Sequence, residues 1–363
     1  MVTSAQPSQC QVIRRILAEF GEITGLKINM QKSTISFSPH IPHRLKHWLT
    51  SILRMKAAPT GGRYLGMQLY GCRPPRVVFE KVLDSMLQRL QPWMMRFLSL
   101  AGRAIVLKSI IQTIPLYLFH VTWVPDWVVE KMDMLARRFL WGSGNQSKGI
   151  HYVSWDKVTR STKEGGLGLY RMATLRNAVA IKRAFQLLQD SHSLWSHVIQ
   201  VKYKWNGNPW ELPNCNSSSM LWKCIEQAMQ VARMHCRMQL DDLSMVDVIR
   251  SPWLWTVPLS RIPTFINMEQ AQLDYNVANC IRQQEWCTET LTRFLPSFWV
   301  QQISSKPIPQ GNSKKWIWED EPSGVPRLTN IYRELLPSIA DRNQGAWRLV
   351  WRLPIFPRVK TFL

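Results

Sequence analysis

The chain has 363 residues, of which 45% are hydrophobic, so its length and composition exclude intrinsic disorder as the dominant state. Lys and Arg number 46 against 24 Asp and Glu, a net charge of +22. Residues 1–190 carry 27 basic and 10 acidic residues, whereas residues 191–363 carry 19 and 14. This excess predicts a polyanionic partner, nucleic acid before an anionic membrane, and a generally basic surface without a dedicated partner is the alternative.

The cysteines and the first residues of the chain indicate a reducing compartment. Seven Cys are scattered at irregular spacing, and residues 1–20 lack the apolar core of a secretory leader. The most apolar long stretch, residues 110–129, is interrupted by polar residues and two prolines, which is typical of a buried segment. We therefore expect an intracellular protein with free thiols and no membrane-spanning segment.

The first elements along the chain are short. An apolar stripe predicts a helix over residues 11–20, ended by Gly21. The following "EITGLKINMQKSTISFS", residues 22–38, alternates apolar and polar residues on both sides of a polar turn, and so predicts a β-hairpin. A helix over residues 44–55 and a short strand in "RYLGMQLYG", residues 63–71, come next.

Residues 76–141 are predicted to be almost entirely helical. One apolar stripe contains Val78, Val82, Met86 and Leu90, and a second begins with Val106, Ile110 and Ile111 and is closed by Pro115. Pro125 begins a third helix, ended by Gly142, because a missing N–H costs least in the first helical turn. "EGGLGL", residues 164–169, predicts a glycine turn before a further helix that reaches Phe185.

After residue 205 the patterns weaken. Residues 206–219 predict a turn-rich linker, followed by a helix near 219–234, an amphipathic helix near 288–303, and a strand and turn in "WIWEDEPSG". The predicted class is mainly α, with a helical bundle, a small β-hairpin near the N-terminus and an irregular α/β C-terminal part.

Most candidate catalytic and metal sites fail on their context. Asp241 and Asp242 are adjacent carboxylates, but they lie in a helix or loop pattern and not in the strand–turn–strand that positions polymerase metals. No two Cys have C-x2-C spacing, which zinc sites usually need. No nucleophile has a plausible base, so neither a cofactor nor a bound metal is predicted.

Basic residues interrupt the apolar stripes of several predicted helices. A helix with one apolar and one basic face suits binding along a phosphate backbone, and a merely solvated face is the alternative. The residues concerned are Arg89, Arg96, Arg103, Lys108, Arg137, Arg138, Lys182 and Arg183.

An ordered series of stretches resembles the reverse transcriptases of plant LINE-type (non-LTR) retrotransposons. They are "ILAEFGEITGLKINMQKSTISFS", "YLGMQL", "LQPWMMRFLSLAGRAIVLKSIIQTIPLYLF", "VPDWVVEKMDMLARRFLWGSG", "VSWDKV", "EGGLGL" and "SLWSHVIQVKY". They resemble the end of the palm, the thumb and the connection region of that family, and "WRLVWRLPIFPRVKTFL" resembles the start of its zinc-binding domain.

The resemblance implies a four-part organisation: a palm remnant at 1–40, a helical thumb and connection at 41–205, a linker and helix at 206–265, and a connector with the start of the zinc-binding domain at 266–363. In that family the paired catalytic aspartates precede the "GLKIN…KS" stretch, and the zinc ligands follow the last stretch. We therefore expect a truncated chain without polymerase activity, because phosphoryl transfer requires a carboxylate pair that holds metal ions.

The resemblance also assigns residues to nucleic-acid contact. Lys27, Asn29 and Lys32 match the palm motif, and Arg103 and Lys108 match a "GR…L.KS" motif; Asn29 is equally well explained as a turn former. With Arg89, Arg137, Arg138 and Lys182 they form the predicted site for non-specific RNA or DNA binding. The alternatives are a domesticated protein-interaction module and a polymerase whose gene model lost its catalytic part.

Overall fold

Apolar stripes fold most of the chain into helices, and the predicted mainly α class is confirmed. The computed structural model describes residues 3–26, 28–38, 40–58, 63–64, 67–68, 74–91, 94, 97–142, 151–190, 193–215, 218–239, 246–262, 276–283, 285–308, 315–337, 349–350 and 352–356. They belong to two compact units, Met1–Val78 and Phe79–Leu363. The four-part division made from the sequence stays a prediction.

The first unit is a small α/β arrangement. Its elements are α1 (Pro7–Thr24), β1 (Thr34–Ser36), α2 (His43–Leu53), β2 (Lys56–Ala58), β3 (Arg63–Tyr64) and β4 (Met67–Gln68). Helices α1 and α2 pack together, and Cys10, Leu49 and Leu53 form their buried core. The predicted helix over 44–55 is therefore confirmed, within a residue or two.

The predicted hairpin at residues 22–38 is wrong. Its second strand exists as β1, but β1 pairs in parallel with β2, in the register Ile35↔Ala57. Its first strand is not formed, since the described Leu26 and Ile28 lie in no strand. Residues 22–24 belong to the end of α1, which continues through Gly21 and stops at Gly25, whose φ of 70° favours glycine. The helical pattern continues beyond the first glycine, and this outweighs the weak alternation that follows it.

The second unit contains most of the helices, and its first helix begins three residues before the unit boundary. They are α3 (Arg76–Arg89), α4 (Leu100–Val106), a π-helical turn (Leu107–Ile111), α5 (Ile114–Val121), α6 (Asp126–Trp141), α7 (Trp155–Val158), α8 (Met172–Gln189), α9 (Leu194–Tyr203), α10 (Met220–Ala232), α11 (Thr288–Thr292), α12 (Ser297–Ser304) and α13 (Leu328–Glu334).

Helix α8 is the centre of this unit. It packs against α5, α6, α10 and α13, and buries residues on nearly all of its faces. Ala178 and Ala184 are completely buried, and their small side chains let neighbouring helices approach closely. Phe185, also completely buried, packs edge-to-face on Trp318 with ring centroids 5.7 Å apart.

Two short ribbons complete the second unit. Strand β5 (Cys236–Gln239) pairs antiparallel with β8 (Lys315–Trp318), in the register Cys236↔Trp318. Strands β6 (Ile281–Arg282) and β7 (Glu285–Trp286) form a two-residue ribbon. The predicted strand in "WIWEDEPSG" is thus confirmed.

Several predicted helix details need correction. Pro115 lies at the beginning of α5 and does not close a helix, because its ring fits the first helical turn. Met86 and Leu90 are buried as predicted, but Phe79 and Leu83 are buried in place of the half-buried Val78 and Val82. The amphipathic helix predicted near 288–303 is two short helices, and the second begins directly after Pro296.

One helical stretch of the described chain, Leu100–Val121, is long and apolar enough to cross a membrane, with a mean hydropathy of 1.5. Of its most apolar window, 39% is buried inside the protein. A single stretch of this kind is weak evidence for a membrane span, because core helices of soluble proteins have the same length and composition.

Candidate nucleic-acid interface

Arg103 joins the beginning of α4 to the end of α6. Its Nη1 donates to the carbonyl oxygens of Leu140, at 3.1 Å, and Gly142, at 2.6 Å, and its Nε donates to that of Leu98, at 3.2 Å. A cation at a helix C-terminus satisfies carbonyls that have no partner within the helix and favours the helix dipole. Arg103 therefore connects the stretch "LAGRAIVLKS", in which it lies, to the end of the stretch "ARRFLWG".

Lys108 lies on the π-helical turn, against the glycine turn of residues 164–169. Its Nζ lies 3.4 Å from the point that a Cβ on Gly168 would occupy. Glycine is required here, since Gly168 has φ +70° and a Cβ on Gly166 would lie 2.2 Å from the carbonyl oxygen of Arg160. Gln112 Nε2 also donates to the carbonyl oxygen of Tyr170, at 3.0 Å. The π-helical turn and the glycine turn thus form one neighbourhood.

A buried carboxylate connects the same neighbourhood to α8. Asp133 of α6 is 7% exposed, and its Oδ1 accepts from the backbone N–H of Met172, the first residue of α8, at 3.1 Å. An acceptor at a helix N-terminus is favoured by the helix dipole. Burial raises the pKa of Asp133 to about 6, against the opposing effects of the Met172 hydrogen bond and of nearby Arg137 and Arg171.

These contacts bring five basic residues onto adjoining elements, and we call them the basic cluster: Lys108, Arg137, Arg138, Arg160 and Lys163. The first lies on the π-helical turn, which packs against α6; the second and third lie near the end of α6; and the last two lie in the chain leading to the glycine turn. Lys108, Arg138 and Lys163 are exposed, as phosphate contact requires. Arg171 is excluded because it pairs with Asp156 at 2.9 Å.

The environment of Asp133 predicts a pH dependence of stability. Its pKa rises from the ordinary 3.8 to about 6 on folding, so the folded state keeps the proton longer than the unfolded state. This contribution stabilises the fold at pH 4 and below, and is lost as the pH rises from about 4 to about 6. Asp133→Asn keeps an acceptor oxygen but cannot ionise. The free energy of unfolding of this variant should therefore not show the pH-dependent fall, which is on the order of 3 kcal/mol in the wild type.

Urea unfolding of wild type and Asp133→Asn at pH 4, 5, 6 and 7 measures this effect. We expect the variant to gain stability relative to wild type at each step up to pH 6. A stability difference independent of pH would show that Asp133 ionises equally in the folded and unfolded states.

The remaining predicted site residues are dispersed. Arg89 is exposed at the end of α3. Lys182 is half-buried on α8 and lies near His120, whose imidazole pKa is lowered first by burial, then by the charge of Arg183 and then by that of Lys182. In the first unit, Lys32 is exposed and Asn29 Oδ1 accepts from the backbone N–H of Lys32 at 3.1 Å, which is the turn-forming role. Lys27 lies outside the described residues.

Two arginines of α8 have structural partners. Arg176 stacks on Trp123 at 4.0 Å and donates to the carbonyl oxygen of Val124 at 2.6 Å. Arg183 stacks on Trp195 and donates to the carbonyl oxygen of His120. Such cation–π contacts explain basic residues on an otherwise apolar helix without a ligand.

Other sequence-based candidates have mixed outcomes. Arg96 and the pair Asp241 and Asp242 lie outside the described residues. The predicted free thiols are confirmed for the cysteines of the described ranges, namely Cys10, Cys215, Cys224, Cys236, Cys280 and Cys287. Arg160 and Lys163 are missing from the predicted site because they lie in a bend and in a three-residue 3-10 helix, which are too short for helical periodicity to give a signal. Their closeness in sequence to "EGGLGL" is the available indication.

Comparison with known proteins identifies plant relatives. No protein-family model matches the chain. "Putative ribonuclease H protein At1g65750" of Arabidopsis thaliana is 33% identical over 150 residues, which are 40% of this chain and 24% of that protein. "Uncharacterized mitochondrial protein AtMg00310" of the same plant is 23% identical over 113 residues, which are 31% of this chain and 73% of that protein. The matching region spans about a quarter of the first relative and about three quarters of the second.

Proposed function

We propose that the chain is a segment of a plant retroelement reverse transcriptase of the LINE (non-LTR) type, and that it binds nucleic acid without sequence preference and without polymerase activity. The observation that carries the proposal is the convergence of three motif stretches. "LAGRAIVLKS", "ARRFLWG" and "EGGLGL" are far apart in the sequence, yet Arg103 donates to carbonyls at the end of the second stretch, and Lys108 Nζ lies beside Gly168 of the third.

Charge and relatives support this proposal. The basic cluster lies in the part of the chain that carries most of the net charge of +22. Exposed basic side chains attract phosphates of any sequence, because they neutralise the backbone and release counterions. A relative whose name includes ribonuclease H agrees with a polyprotein that acts on nucleic acid.

The absence of polymerase activity is part of the proposal. Nucleotide transfer requires two metal ions held by paired carboxylates. The adjacent pair in this sequence, Asp241 and Asp242, follows the thumb-like stretches, whereas the catalytic pair precedes them in the family that the chain resembles.

A second candidate function is protein interaction, as a domesticated module. Helix α9 exposes an apolar stripe at helical spacing: Leu194 is 79% exposed, Val198 51% and Val201 64%. Exposed stripes of this kind are typical of protein-binding faces. A stoichiometric protein partner whose binding is insensitive to salt would favour this function.

Competition binding and primer extension together test the first function. We expect a labelled single-stranded RNA to be displaced equally well by unrelated RNAs of the same length, and no extension of a primer on RNA or DNA with Mg²⁺ or Mn²⁺. A preference of more than about tenfold for one sequence would contradict non-specific phosphate binding. Extension above a heat-inactivated control, abolished in Asp241→Asn, would contradict the proposed lack of polymerase activity.

A further inference from the structure

Three potential ligand side chains meet at one end of the β5–β8 ribbon. His235 directly precedes β5, Asp320 follows β8, and Glu334 is the last residue of α13. The Glu319 backbone N–H donates to the His235 carbonyl oxygen at 2.9 Å, which extends the ribbon to this point. One ligand atom from each of the three side chains lies within 4.8 Å of the other two.

The imidazole of His235 is held in one orientation. Its ring stacks on Trp318, with centroids 4.9 Å apart and planes 5° apart. Its Nδ1 lies 2.5 Å from Asp320 Oδ2, and its Nε2 faces Glu334 Oε2 at 4.0 Å. A carboxylate on Nδ1 fixes the tautomer that presents the Nε2 lone pair, as the outer carboxylate does behind many metal-binding histidines.

The surroundings are acidic, although the protein is strongly basic. Glu319, Asp320 and Glu321 are consecutive, and Glu334 lies beside them. Crowded carboxylates of this kind are stabilised by a cation.

The neighbouring arginines have other partners, so they do not compete with a metal ion for His235, Asp320 and Glu334. Arg237 Nε pairs with Glu319 at 3.4 Å, and Arg333 Nη1 donates to Asn330 Oδ1 at 3.4 Å. Glu321 is occupied as well, since it accepts from the Asn330 amide and from the backbone N–H of Arg327.

We propose that His235 Nε2 and Glu334 bind a divalent transition-metal ion of the Zn²⁺ class, with Asp320 orienting the imidazole and water completing the coordination. An imidazole ligand favours zinc over magnesium, which prefers oxygen. Two ligands of a tetrahedral zinc lie roughly 3.4 Å apart, so the Glu334 carboxylate needs to move only slightly from its present 4.0 Å. This site contains no cysteine, so it differs from the C-x2-C type that is absent from the sequence, and it is independent of the proposed function.

The alternative is a purely ionic arrangement, in which a protonated His235 bridges the two carboxylates. The same contacts serve both arrangements, so a metal titration decides between them. The metal-free chain of 363 residues, with Cys215→Ser and Cys287→Ser to remove two partly exposed thiols, is titrated with Zn²⁺ by calorimetry. Zinc-edge X-ray absorption then reports the ligand atoms.

We expect one zinc equivalent with nitrogen and oxygen ligands. His235→Gln and Glu334→Gln should weaken binding at least tenfold, and Asp320→Asn by about 10- to 100-fold. The control His197→Gln removes an exposed histidine from α9 and should leave binding unchanged. Absence of a binding heat, sulfur in the coordination shell, or equal affinity of wild type and His235→Gln would overturn the proposal.

Discussion

Reversing the charge of Lys108, Arg138 and Lys163 to glutamate together should weaken binding of single-stranded RNA at least tenfold at about 0.1 M salt. The three side chains are exposed members of the basic cluster, so the change should remove phosphate contacts without disturbing a buried partner. Each lost contact also removes counterion release, so the salt dependence should become shallower. Fluorescence anisotropy with a labelled RNA measures both quantities.

The matched control reverses three exposed basic residues from another part of the same unit, Arg250, Arg293 and Lys306. This set changes the net charge by the same amount, so a non-directional attraction would respond equally to both sets. Equal weakening by the two triple variants would therefore favour a generally basic surface over the basic cluster. Circular dichroism of both variants verifies that the helices are retained.

Phe185→Ala should lower the free energy of unfolding by about 3–5 kcal/mol, the usual cost of removing a buried aromatic side chain. Phe185 is completely buried in α8 and contacts Trp318 of β8, so the cavity would lie between the central helix and the C-terminal ribbon. Tryptophan fluorescence and helical circular dichroism should therefore report the same destabilised unfolding transition.

Phe298→Ala is the matched control for this cavity. Phe298 is 60% exposed on α12, so its truncation should change the stability by about 0.5 kcal/mol or less. Denaturant unfolding of the two variants beside wild type gives the comparison. If both variants lose the same stability, α8 is not the centre of the cooperative core.

The helical part of the fold is predictable because its signals are local. Pro125 and Gly142 flank α6 as expected: Pro125 is the residue before its first turn, where a missing N–H costs least, and the chain becomes extended at Gly142. The glycine turn of residues 164–169 is predictable for the same reason. The mainly α class follows from these bounded stripes.

Strand pairing is less predictable because the partner is not local. The alternation at residues 34–37 identifies a strand, but it does not show whether the partner precedes or follows it. The partner β2 lies beyond α2, and the small residues Ala57 and Ala58 give it no strand signal. The ribbon of β5 and β8 is more distant still, and its pairing brings His235 to Asp320 across 85 residues.

The sequence predicts several of the basic residues that belong to the candidate interface, but it does not predict which of their side chains face solvent. Periodicity identifies Arg103 and Lys108 as basic residues in apolar helices, but it cannot separate a side chain that binds carbonyls from one that faces solvent. Arg103 donates to three carbonyls, whereas Lys108 is exposed. Only tertiary contacts distinguish the structural cation from the candidate phosphate ligand.

The salt dependence of RNA binding by the wild-type chain tests the proposed function most directly. We expect the logarithm of the association constant to fall linearly with the logarithm of the KCl concentration. With roughly three to six phosphate contacts, the slope should be about −2 to −4 for a single strand. A slope near zero, or no measurable binding at low salt, would contradict the proposal that this chain binds nucleic acid through its phosphate backbone.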